Sequence, residues 1–65
     1  MARLSERIWK HRFAAALGKL FEYQGLDGAA ALEDAYAHAD DQFPRRTFAP
    51  PEQDAEDVYR SLMVT

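Results

Sequence analysis

The chain reads as an all-α domain of three helices, on three observations. Apolar residues recur at helical spacing in three segments, each segment opens on a capping residue or a proline, and none alternates apolar with polar as a half-buried strand would. An antiparallel helical hairpin over about 6–24 and 28–41 is expected to carry a C-terminal helix over about 51–63, with an irregular loop at about 42–50. All of 1–65 then forms one domain.

The first helix starts at a strong signal. Ser5 is a good N-cap, and Leu4 and Trp9 occupy the two positions of a hydrophobic staple across it. At its far end Gly25 suits the left-handed position of a Schellman motif, with Leu26 placed to touch Phe21. Trp9, Phe13, Ala16, Leu17, Leu20 and Tyr23 make one stripe, flanked by Arg3 and Lys10 on one side and by Arg12 and Lys19 on the other.

Asp27 is the natural cap of the second helix, in which Ala29, Leu32, Tyr36, Ala39 and then Phe43 share a face. The two or three residues between these helices force them antiparallel. Pro44, Pro50 and Pro51 bound the loop, and Pro51 fits the first turn of the third helix. Ala55, Val58, Tyr59 and Leu62 supply its apolar stripe, while Glu56 and Arg60 pair one turn apart on its outer side.

Size and composition exclude much. A chain of 65 residues buries only about 60% of the surface it exposes when unfolded, which leaves little material to enclose a catalytic pocket. There is no Cys, so neither a disulfide nor a thiolate metal site reinforces the fold. No apolar run approaches the ~18 residues of a membrane span, and no signal peptide is evident, so the expected location is cytoplasmic. No Gly-rich phosphate loop, nucleophile–base set or paired carboxylates around a cleft can be identified, so the chain reads as non-enzymatic and without a cofactor.

Charge is divided unevenly. The first twenty residues hold five of the eight basic residues and one of the eleven acids, against a net charge of −3 for the whole chain. The basic helix invites a reading as a peripheral membrane or nucleic-acid binder. The simpler reading buries its Trp and Phe face and sets its basic flanks beside the acidic faces of the other two helices. Sequence-specific DNA binding through a helix-turn-helix is not expected, because the second helix has no Lys or Arg and carries Glu33, Asp34, Asp40 and Asp41, which phosphates repel. His38 between Asp34 and Asp41 superficially resembles a metal cluster, but such ligands on the outer face of a single helix are common by chance, so it reads as a solvated His on an acidic face and no metal site is expected.

Two regions remain for a partner. On the first helix, Ile8 lies outside the apolar stripe, and Ala14, Ala15 and Gly18 make the opposite face small around Arg7 and His11; such a face admits a second helix, from a partner or a second copy. In the loop, Phe43 and Phe48 bracket Arg45 and Arg46, the only basic pair in the acidic part of the chain. Arg and aromatic side chains are favoured interface anchors. The alternative is that both phenylalanines plug the open end of the core while the arginines stay in solvent. The contact residues expected are therefore Arg7, Ile8, His11, Arg45, Arg46 and Phe48.

The resulting expectation is a protein–protein interaction module. It would serve as a small regulator or inhibitor, or as an accessory subunit of a larger complex. The alternatives are the membrane or nucleic-acid binder and a structural homo-oligomer. An excess of Arg over Lys, six to two, and abundant Ala fit GC-rich genomes, including those of bacteria and the phages that encode such regulators.

Overall fold

The computed structural model describes residues 3–64. Three helices run α1 (Glu6–Tyr23), α2 (Gly28–Gln42) and α3 (Pro51–Met63), with a single 3-10 turn over Phe43–Arg45. The domain is thus all-α with three helices, and the boundaries follow from the caps. The Ser5 side chain accepts from the Ile8 amide at 3.3 Å and Asp27 from the Ala29 amide at 3.3 Å. Gly25, at φ +105°, closes α1: the Gly25 amide donates to the Glu22 carbonyl and the Leu26 amide to the Phe21 carbonyl, the two bonds of a Schellman motif.

The order is up, down, up. Contacts of α1 with α2 and the turn that follows it pair Trp9 with Phe43, Lys10 with Asp40, His11 with Tyr36 and Gly18 with Leu32, so one number rises as the other falls. Contacts of α3 pair Arg12 with Glu52 and Phe21 with Tyr59, so α3 runs parallel to α1. Both α2 and α3 pack on α1 rather than on one another. Burying α1 on two sides makes it the axis of a flat domain of 37 × 25 × 16 Å.

The core is Trp9, Phe13, Leu17 and Phe21 on α1, closed by alanines from α2 and α3. Trp9 stacks on Phe13 with ring centroids 4.9 Å apart, as residues one turn apart can. This stripe corrects the expected one at its end. Tyr23 is 88% exposed and Phe21 takes the core place, because the buried stripe runs through 9, 13, 17 and 21 in steps of four and Tyr23 lies about 160° round the helix from Phe21; Ala16 and Leu20 are half-buried.

A larger correction concerns the face of α2. Ala31, Ala35 and Ala39 are buried, whereas Ala29, Leu32 and Tyr36 of the expected stripe are exposed. The reason lies on α1, where Ala14 and Gly18 are themselves buried. A Cβ built on Gly18 would stand 3.7 Å from the Leu32 Cα and 3.8 Å from the Ala31 carbonyl oxygen, so the backbones approach closely. Small residues on both helices allow that approach, and the bulky side chains of α2 move to the outside of the seam. The small face of α1 read from sequence as open to a partner is thus largely occupied by α2 of the same chain. On α3, Ala55 is buried, Val58 and Tyr59 are half-buried and Leu62 is exposed.

Candidate functional site

Because α2 and α3 flank α1, the chain from Gln42 to Pro50 must cross the amino-terminal half of α1 to join them. That crossing separates the two phenylalanines of the loop. Phe43, in the 3-10 turn, closes the core edge-on to Trp9, with centroids 5.6 Å apart and planes at 68°. Phe48 is 94% exposed. Only one of the two acts as a plug.

Asp54 anchors the crossing. This side chain is 2% exposed, and its carboxylate accepts from the Thr47 amide at 3.1 Å and the Thr47 hydroxyl at 2.5 Å. Thr47 Oγ1 in turn accepts from the Ala49 amide at 3.0 Å. Asp54 was not among the expected contact or core residues. Its signal was an acid in the first turns of a helix preceded by Thr, a pattern too common to separate from a solvated acid.

Between this anchored loop and the chain entering α1 lies a cleft of about 330 Å³. Residues 46–51 form one wall, and Arg3, Leu4, Trp9 and Arg12 form the other. The staple pair Leu4 and Trp9 therefore serves the cleft as well as the helix start. Arg3 bridges the walls: its guanidinium donates to the Thr47 carbonyl at 2.7 Å and lies 4.7 Å from the centroid of the Phe48 ring. Arg46 donates to the Phe43 carbonyl at 2.7 Å and sits 3.8 Å over the Phe43 ring.

The three guanidinium groups differ in charge balance. Arg12 is neutralised by Glu52 through two bonds of 2.8 and 2.6 Å. That pairing raises the Arg12 pKa, and the hydrogen bond from Arg12 lowers that of Glu52. Arg3 and Arg46, by contrast, meet only neutral acceptors, and among the described residues neither has a carboxylate partner. Two buried N–H groups of cleft residues, Trp9 Nε1 and Arg46 Nε, also have no hydrogen-bond partner. The chain matches no protein-family model, no curated protein and no solved structure.

The expected contact residues fall in different places. Arg46 and Phe48 line the cleft, joined there by Arg3 and Trp9, which sequence reasoning had placed on a flank of α1 and in the core. Arg45 points elsewhere and pairs with Asp41. Arg7 and Ile8 are exposed on α1 and do not line the cleft. His11 is engaged within the fold, its Nδ1 3.0 Å from the Tyr36 hydroxyl.

Two basic residues of α1, Lys10 and Arg12, are paired with acids of the same chain. Lys10 bridges Glu6 at 2.5 Å and Asp40 at 2.9 Å, and these partners, Asp40 first, raise its pKa. Trp9 and Phe13 are buried. His38 is half-buried rather than solvated, with its ring 5.9 Å from that of Phe21. Among the described residues no three His or carboxylate side chains are grouped to hold a metal ion, and no helix is long and apolar enough to cross a membrane.

Proposed function

We propose that this chain is a non-enzymatic protein–protein interaction module, a small regulator or inhibitor or an accessory subunit, that engages its partner through the cleft beside the 46–51 loop. The supporting observation is Phe48: a phenylalanine left 94% exposed, held by Arg3 and mounted on a loop tied down by a buried carboxylate. Exposing a large apolar ring opposes the hydrophobic effect, and ordering the loop beneath it adds an entropic cost. A pre-ordered aromatic beside unpaired arginines has the composition of an interface anchor.

The test is site-specific photo-crosslinking from position 48 in the source cells, compared with crosslinking from Tyr23, an equally exposed aromatic at the other end of α1. One protein crosslinked from position 48, and not from 23, is the expected result. Crosslinks of equal abundance from both positions, or none from position 48, would refute the reading.

A second reading, self-association, is favoured by one observation. Leu32 and Tyr36 are exposed along the α1–α2 seam, and Ile8 is exposed on α1. Mass measured across a wide concentration range checks it, with a dimer that Leu32→Asp dissociates as the expected result.

A further inference from the structure

Resting on the reading of the cleft as the partner site, we infer that its occupant is an acidic peptide segment of another protein, carrying one large apolar side chain between carboxylates. Charge complementarity is the first argument. Arg3 and Arg46 each donate to a backbone carbonyl, among the described residues neither is paired with a carboxylate, and both line the same cleft. An anion is the ligand that a guanidinium without a counter-charge recognises best, often through paired N–H bonds.

The cleft walls supply the second argument. Leu4, Trp9, Pro50, Pro51 and the exposed Phe48 are apolar. A volume of about 330 Å³ lies at the small end of ligand pockets and accommodates a side chain rather than a folded surface. An inorganic anion would leave those walls unused. A nucleic acid would extend a long run of phosphates beyond the cleft over a predominantly acidic remainder, which a short segment does not reach. An extended peptide places carboxylates and an apolar group within the same few ångströms, which matches both halves of the cleft.

The experiment is selection of random dodecapeptides by display on the immobilised full chain, with Arg3→Gln, Arg46→Gln and Arg7→Gln variants in parallel. Circular dichroism establishes that each is folded. Arg3 lies outside the helices and contributes nothing to the core, so its variant keeps the test valid should Arg46→Gln unfold. Selected peptides are expected to carry Asp or Glu around a Phe, Leu or Trp and to change the fluorescence of Trp9, the single tryptophan. Arg3→Gln and Arg46→Gln should each weaken them about tenfold, the loss expected for one charge-assisted hydrogen bond, and Arg7→Gln should have no effect.

Enrichment of basic or neutral peptides, no enrichment, or equal binding by Arg3→Gln and wild type would overturn the assignment. So would duplex DNA competing for the cleft at physiological salt. Peptides that Arg3→Gln still binds but Ile8→Asp loses would refute the acidic-segment proposal while leaving an interaction module in place. Failure of crosslinking from position 48 separately removes the module reading.

Discussion

The buried carboxylate of Asp54 holds both the amide and the hydroxyl of Thr47, and through them it fixes the connection between α2 and α3. A charge at 2% exposure is tolerated here because two donors meet it and the amino-terminal half of α3 favours an anion. Asp54→Ala would strand both donors. A loss of about 1–3 kcal/mol is expected, read as a lower melting temperature, together with faster amide exchange at Thr47 and Ala49. Asp54→Asn, which keeps one acceptor, should fall between.

Gly18 tests how tightly α1 and α2 approach. A methyl group there meets Leu32 at ordinary contact distance, so Gly18→Ala is expected to be neutral or to stabilise by up to ~1 kcal/mol through helix propensity. Gly18→Leu must separate the helices and should cost about 1–3 kcal/mol. Chemical denaturation of both variants checks the contrast; equal destabilisation would mean that the seam is closer than described.

Gly25 behaves oppositely. Open space surrounds the position of its Cβ, but its φ of +105° disfavours any side chain. Gly25→Ala should therefore destabilise by roughly 1–2 kcal/mol for conformational reasons alone. A melting temperature equal to that of wild type would contradict the Schellman termination of α1.

Tyr59 carries a buried hydroxyl with no protein partner while its ring packs near Phe21. Removing an unsatisfied polar group without changing shape relieves a desolvation penalty. Tyr59→Phe is expected to leave stability unchanged or raise it by up to ~1–3 kcal/mol, measured by thermal melting. A clear fall would show that the hydroxyl is satisfied by bound water.

The Arg12–Glu52 pair docks α3 on α1 in a pH-dependent way. The guanidinium lowers the Glu52 pKa below its ordinary 4.5, so the folded state binds that proton less readily than the unfolded chain. Its contribution is fully present above the ordinary value and is lost as pH falls through the lowered one. Glu52→Gln should thus melt below wild type at pH 7 and converge with it in strong acid. The difference should be small and should shrink with added salt, because both side chains are partly exposed to water.

Local chemistry alone determined where the helices begin and end. Ser5, Asp27 and Pro51 mark starts and Gly25 marks a stop through hydrogen bonding and dihedral preference within a few residues, which needs no tertiary partner. The charge division was legible in part: one residue of each basic flank of α1 meets an acid of α2 or α3, as Lys10–Asp40 and Arg12–Glu52. Which face of α2 would be buried was not legible. Its large side chains, Leu32 and Tyr36, were read as the core face by hydrophobicity. The close approach permitted by Ala14 and Gly18 instead selects the alanine stripe, a choice that depends on two helices at once. The cleft is tertiary in the same sense. Its residues span 3–12 and 46–51, and no local pattern announces that a loop will cross α1 there. Sequence placed Arg46 and Phe48 together, but it took the flanking of α1 by two helices to bring Arg3 and Trp9 to them.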